Sequence, residues 1–140
     1  MSTTTVKWID GQQFIGVDST NHSVVLSTPG EGIGIKPSDL FLISVAACSS
    51  ADVTEILAKK RLNLTHMEVT SSGEQDSDPP WTFRQIHLHF KLTGRGLNEK
   101  AVAQAIELSV EKYCSVAATI RATAPITTDY EIIEDICAPA

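Results

Sequence analysis

The alternation of apolar and polar positions predicts six strands and three helices. The predicted strands are residues 5–9, 12–18, 23–27, 64–72, 81–93 and 125–134. Asp10-Gly11 lies between the first two, and Asp-Gly between alternating runs favours a tight hairpin because both turn positions take positive φ. The chain therefore opens with a hairpin and a third strand, before the glycine-rich residues 28–35 lead into its most apolar stretch.

That stretch, residues 36–61, predicts a long central helix. Pro37 suits the first helical turn, and Asp39 places a negative charge near the positive end of the helix dipole. From Leu40 to Cys48 almost every position is apolar, which is typical of a helix surrounded by other elements. A small sheet cannot cover such a helix alone, so we expect a second copy of the chain to help bury it, in a homodimer.

Two further helices follow the second pair of strands. Asn98 is a good N-cap for an amphipathic helix that runs to about Tyr113, and Ser115 is a plausible cap for a short helix over residues 116–122. Cys114 then falls at the junction between these helices. The order of elements predicts an α+β fold with mostly antiparallel pairing, formed by residues 1–140 as a single domain.

Composition and charge argue against several classes of function. The net charge is -6, with 11 Lys and Arg against 17 Asp and Glu, which argues against a nucleic-acid partner. We find no signal peptide and no apolar run of about 18 residues, so we expect a cytoplasmic protein without a membrane partner. Three cysteines do not make a disulfide framework, so free or redox-active thiols are expected, with Cys137 near the terminus as a bystander.

The histidines point to solvated positions. His87 and His89 share a strand face with Gln85 and Lys91, so we interpret them as solvated residues in preference to a paired metal site. His22 lies in a polar turn and is interpreted in the same way.

The arrangement of the first two cysteines resembles a known family. Pro37 followed by an acid, an aliphatic helix ending in Ala-Ala-Cys48, and Tyr-Cys114-Ser-Val after an amphipathic helix resemble the OsmC/Ohr family of thiol-dependent hydroperoxide reductases. The resemblance covers nearly the whole chain. Lys36-Pro37 and the residues from Cys48 to Val53 are most similar to its YhfA-like branch.

The resemblance implies an intertwined α+β homodimer with antiparallel sheets and a long buried central helix. It assigns Cys48 as the peroxidatic thiol and Cys114 as the resolving one. Cys48 would reduce an organic hydroperoxide and become a sulfenic acid, and Cys114 would condense with it to a disulfide. An external dithiol, of lipoyl type in better studied members, would restore the thiols, and no metal or organic cofactor is required.

The charges around Cys48 depart from the family pattern. Characterised members pair the thiolate with an N-terminal arginine held by a glutamate, whereas the first arginine here is Arg61. Asp39 is the acidic match. Lys36 is one candidate for a substitute cation, and Arg121 is the other. Asp52, four residues after Cys48 on the same helical face, would raise the thiol pKa.

Two other functions remain open. The chain could form a non-enzymatic dimer that binds a small apolar ligand, with thiols that react slowly. It could also be a redox sensor whose disulfide alters a partner surface. A single free cysteine usually packs in the core as a small apolar residue. The prediction of a redox function therefore depends on Cys48 and Cys114 together.

Overall fold

A computed structural model of the protein describes residues 1–30 and 32–136. The strands are β1 (Thr5–Asp10), β2 (Gln13–Val17), β3 (Ser23–Ser27), β4 (Asn63–Gln75), β5 (Phe83–Arg95) and β6 (Ile126–Glu134). The helices are α1 (Pro37–Lys59), α2 (Glu99–Leu108) and α3 (Ser115–Ile120), with a π-helical turn at Ser109–Tyr113 between the last two. The predicted order of elements and the α+β class are confirmed. Residues 1–41 and 42–140 form two compact units, and the single-domain assignment stays a prediction.

The first unit is a three-stranded antiparallel meander in the order β1-β2-β3. The predicted hairpin forms, but its turn is displaced by one residue: Asp10 still belongs to β1, and Gly11 takes the positive φ of 53°. After β3 the chain folds back so closely that a Cβ on Gly34 would lie 2.7 Å from the Leu26 backbone. Glycine is therefore required where the chain turns toward α1.

The second unit contains a sheet in the order β4-β5-β6. β4 and β5 are antiparallel, as expected, but β6 lies parallel to β5, with Ile86 opposite Ile126. Pairing is therefore mostly antiparallel, as the sequence predicted, and this parallel edge departs from the antiparallel sheets that the family resemblance implied. The helices between β5 and β6 return the chain to the same end of the sheet, which makes the parallel pairing possible.

The core of the second unit is built on β5. Its even-numbered residues Ile86, Leu88, Phe90 and Leu92 are fully buried, as the period of two predicts. They join a single cluster with Val45, Val53 and Leu57 of α1 and with Val102, Ala105 and Ile106 of α2. The cluster holds the segment of α1 that carries Cys48.

Helix α1 is less covered than the sequence predicted. Only 28% of its most apolar 18-residue window is buried, and Ile43 is 47% exposed. By length and composition α1 could cross a membrane, and core helices of soluble proteins meet the same criterion. One chain alone does not surround this helix.

Candidate functional site

Cys48 and Cys114 come together in the second unit. Their sulfur atoms and a carboxylate oxygen of Asp52 all lie within 4.8 Å of one another. Cys114 is 1% exposed, and Cys48 is half-buried against the core. The structure thus unites two thiols that are 66 positions apart in the sequence; their roles as peroxidatic and resolving residues stay predictions.

A break in the helical backbone positions Cys114. The helix predicted to run to Tyr113 is α-helical only as far as Leu108 and continues as a π-helical turn. A hydrogen bond of 2.8 Å from the Cys114 amide to the Ser109 carbonyl oxygen closes this turn. Cys114 is then extended, with φ -74° and ψ 109°. Single π turns inside helices occur frequently at functional sites. Here the turn directs the Cys114 side chain inward.

Cys114 also caps the next helix, where Ser115 was expected to do so. Its sulfur accepts a hydrogen bond from the Ala117 amide at 3.3 Å, and α3 begins at Ser115. The prediction was wrong because serine is the commoner cap, whereas the π turn leaves the cysteine one residue earlier in the extended conformation that a cap needs. The resulting amide contact holds the sulfur in place.

Asp52 completes the cluster. Its carboxylate accepts a hydrogen bond of 2.9 Å from the Ser109 hydroxyl, which lies 3.4 Å from the Ser49 carbonyl oxygen. Asp52 follows Cys48 by one helical turn, so α1 presents both to the same side. Ser109, fully buried, fixes the carboxylate beside the thiols.

The surroundings disfavour the Cys48 thiolate. Burial is the main cause that raises the pKa of Cys48, followed by its hydrogen bond with Cys114 and the charges of Cys114 and Asp52. The Val116 amide opposes this by donating a hydrogen bond to the sulfur, which lowers the pKa. None of these groups is cationic, and the pKa remains above its ordinary value.

The structure gives different information about the two candidate substitute cations. Arg121 is engaged elsewhere: it donates to the Glu111 carboxylate and, at 2.8 Å, to the Glu111 carbonyl oxygen. The suggestion that it serves Cys48 is therefore wrong. Lys36 and Asp39 belong to the first unit, where Asp39 lies in the first turn of α1, and their roles stay predictions.

A cleft of about 570 Å³ reaches the cluster from the Asp52 side. It is lined by Asp52, Glu55, Ile56, Lys59, Lys60, Leu108 and Tyr113. Lys59 pairs with Glu55 at 2.8 Å, and Lys60 donates to Gln104, so both ammonium groups have acceptors of their own. Asp52 is common to the cleft and the thiol cluster, so the cleft adjoins the cluster on that side.

A second cluster lies on the sheet. Asp129 Oδ1 is 2.9 Å from His87 Nε2 and 2.7 Å from His89 Nδ1, and Glu131 is 3.2 Å from His89 Nε2. Hydrogen bonding to Asp129 and then to Glu131 raises the pKa of His89, and the same pairing lowers the pKa of Asp129. The histidines are 37% and 35% exposed, so they are partly solvated, as predicted, but also paired with carboxylates that the parallel strand β6 brings.

Comparison with known protein families identifies the family of this chain. A profile of the OsmC-like proteins matches residues 30–129, most of the chain. The chain belongs to the OsmC-like family. This OsmC-like chain is 37% identical over 128 residues to protein YhfA of Escherichia coli strain K12, which covers 91% of the chain and 96% of YhfA. The resemblance found in the sequence is confirmed.

Solved structures agree on the fold. The OsmC-like protein of Mycoplasma pneumoniae superposes with a TM-score of 0.82 at 15% identity, covering 95% of this chain and 97% of that one. The organic hydroperoxide resistance protein OhrB of Bacillus subtilis superposes at 0.63 and 14% identity, covering 94% and 98%. At these identities the similarity shows a shared OsmC-like fold alone.

Two contributors to this OsmC-like site were not found from the sequence. Ser109 lies within a regular amphipathic pattern, and nothing there marks the π turn that aims it at Asp52. The Val116 group that contacts Cys48 is a backbone amide, which every residue except proline carries. Only the folded arrangement identifies them.

Proposed function

We propose that this protein is a thiol-dependent peroxidase that reduces organic hydroperoxides, with Cys48 as the peroxidatic and Cys114 as the resolving thiol. The proximity of the two sulfur atoms within 4.8 Å carries the proposal. A solved neighbour of the same fold is named as an organic hydroperoxide resistance protein, which supports the same reaction class.

The reaction needs two thiols and an external donor. The Cys48 thiolate attacks the terminal hydroperoxide oxygen, the O–O bond breaks, and the alcohol leaves with a proton while Cys48 becomes a sulfenic acid. The Cys114 thiol then displaces water to form the disulfide. A dithiol, of lipoyl type by resemblance, reduces that disulfide by two exchange steps. No metal or organic cofactor takes part.

The microenvironment sets the rate of the first step. Because burial, Cys114 and Asp52 raise the pKa of Cys48, only a small share of the protein carries the reactive anion at neutral pH. The Val116 amide is the group that favours it. We therefore expect activity that increases as the pH rises above neutrality.

Mapping the oxidised thiols tests the proposal. The reduced protein receives one equivalent of cumene hydroperoxide, and peptide mass spectrometry locates the disulfide. We expect a bond between Cys48 and Cys114, a free Cys137, and turnover with dihydrolipoamide that Cys48→Ser abolishes. Cys137→Ser is the matched control and should keep the activity. A Cys48→Ser protein as active as the wild type would refute the mechanism.

The raised pKa of Cys48 favours a second candidate function, a non-enzymatic protein that binds a small apolar ligand. A thiol that remains protonated reacts slowly with peroxide. The first candidate requires saturable turnover with a dithiol donor. Binding of an apolar fluorescent probe without any such turnover would select the second.

We also propose that the protein acts as a homodimer in the cytoplasm, without a membrane partner. The first unit exposes Val6 at 66% and Trp8 at 68% on one face of β1, and α1 exposes Ile43. Exposed apolar surface of this kind typically becomes an interface. Sedimentation should give twice the chain mass of 15.1 kDa. Trp8→Glu should weaken the dimer, whereas Lys7→Glu, on the opposite face of β1, should not.

A further inference from the structure

We propose that Cys48, Cys114 and Asp52 form a binding site for Zn²⁺ in the reduced protein. This inference does not rest on the peroxidase activity. It concerns the resting thiols, and its test uses no peroxide.

The spacing of the donor atoms suits the ion. One sulfur from each cysteine and one oxygen from Asp52 lie within 4.8 Å of one another. In a tetrahedral shell, with Zn–S near 2.3 Å and Zn–O near 2.0 Å, two sulfurs are about 3.8 Å apart and a sulfur and an oxygen about 3.5 Å. Small side-chain rotations would bring the three donors to these distances.

The chemistry of the donors points to the same ion. Thiolates select soft or borderline cations such as Zn²⁺ over Mg²⁺ and Ca²⁺, and a carboxylate is a common additional ligand. On binding, each thiol releases one proton and no electron is transferred. The bound ion and its three anionic ligands then carry a net charge of -1, compared with -3 for the same ligands without it.

The immediate environment supports an ion at this point. The Ser109 hydroxyl donates a hydrogen bond of 2.9 Å to the Asp52 carboxylate. A hydrogen bond of this kind, made to a ligand by a residue that does not itself bind the metal, orients the ligand. The Ala117 amide, 3.3 Å from the Cys114 sulfur, can stabilise a bound thiolate. The cleft beside Asp52 gives the ion access, and three protein ligands leave a fourth position for water.

Binding would compete with oxidation. The ion would hold the sulfurs about 3.8 Å apart, whereas a disulfide requires about 2.05 Å. The zinc-bound thiols are thus a protected reduced state, and oxidation to the disulfide would release the ion. Zinc is an inhibitor of the peroxide reaction here and takes no part in its steps.

Zinc titration of the reduced full-length chain tests the proposal. A Cys137→Ser background leaves only the two thiols of interest. Titration against a chromophoric chelator should give one Zn²⁺ per chain, with a Kd below about 1 μM. Both thiols should become unreactive to a thiol reagent, and Co²⁺ should give a thiolate-to-metal charge-transfer band.

Variants assign the ligands. Asp52→Asn should raise the Kd by about tenfold or more, because an amide is a weaker ligand. Asp129→Asn, on the sheet face, is the matched control and should leave the Kd unchanged. Alkylating both thiols of the folded wild type should abolish the cobalt band without any mutation. The proposal is overturned if a protein with Cys48→Ser and Cys114→Ser binds Zn²⁺ as tightly as the wild type. Peroxide turnover without zinc binding would refute this inference and leave the peroxidase proposal standing.

Discussion

The thiol cluster and the histidine cluster are both assembled from distant parts of the chain, but their charges behave in opposite ways. Cys114 and Asp52 both become anions on losing a proton, so their charges disfavour the thiolate of Cys48. His89 and Asp129 carry opposite charges and stabilise each other. Proximity therefore does not by itself make a reactive group, because the sign of the neighbouring charge decides which protonation state the fold favours.

The contrast extends to burial. Cys114 is 1% exposed, whereas the two histidines are about one-third exposed, at 37% and 35%. Cys48, half-buried beside Cys114, thus needs a cation or hydrogen-bond donors to become charged, whereas solvent helps the exposed histidines to do so. A perturbation should have the larger effect where water is excluded.

The largest effect should follow Cys114→Ser. After one equivalent of hydroperoxide, the wild type should lose two thiols and the variant only that of Cys48, because the sulfenic acid finds no second sulfur. Dimedone labelling with mass spectrometry measures the trapped sulfenic acid, and dithiol-dependent turnover should fall by about tenfold or more. His89→Ala is the control on the other cluster. A variant that still closes a disulfide at Cys48 would contradict the pairing.

Asp52→Asn should have the next largest effect, in the opposite direction. Removing the negative charge removes one cause of the raised pKa of Cys48, so more thiolate is present at neutral pH. The rate of iodoacetamide alkylation at pH 7 should rise by about threefold or more. Its pH profile should shift to lower pH. Asp129→Asn should leave both unchanged, and an equal response to the two variants would remove the distinction between the clusters.

Ser109→Ala should cause a smaller change. It deletes the 2.9 Å hydrogen bond to Asp52, and the free energy of unfolding should fall by about 1 kcal/mol. Chemical denaturation at pH 7 measures the difference. If the variant is as stable as the wild type, the serine contributes nothing to holding the carboxylate.

The smallest effect is expected for Asp129→Asn, for which we predict the direction of the change in the pKa of His89. The pKa of His89 should fall toward its ordinary value of 6.5, which a proton NMR titration would show. Because the folded pKa of His89 is raised, the pair contributes most below pH 6.5, and the contribution is lost as the pH rises through the folded value. For Asp129, whose pKa is lowered, the contribution is present above 3.8 and is lost as the pH falls through the folded value.

The variant should therefore lose more stability at pH 5 than at pH 9, in denaturation experiments at both values. Equal losses would show that the contact between Asp129 and the histidines is not an ion pair in solution. For Cys48→Ser and Cys114→Ser, the loss of stability should not vary with pH in the acidic range, because thiols stay protonated there.

The sequence by itself determined the succession of elements, the class of the fold and the family. Period-two alternation identified β5, and the N-cap residue Asn98 marked the start of α2. The Asn98 side chain accepts a hydrogen bond from the Ala101 amide. Both signals could be read from the sequence because they depend on neighbouring residues alone. Cys48 and Cys114 were singled out by their helical contexts and by resemblance. The predicted position of Cys137 lies outside the described residues.

Tertiary structure decided what surrounds those residues. The parallel pairing of β6 with β5 brought Asp129 to His87 and His89, which no local pattern indicates. The π turn aimed Ser109 at Asp52 and made Cys114 a cap. Periodicity fixes which face a side chain occupies, but the distances between segments far apart in sequence arise only when the shared core is packed.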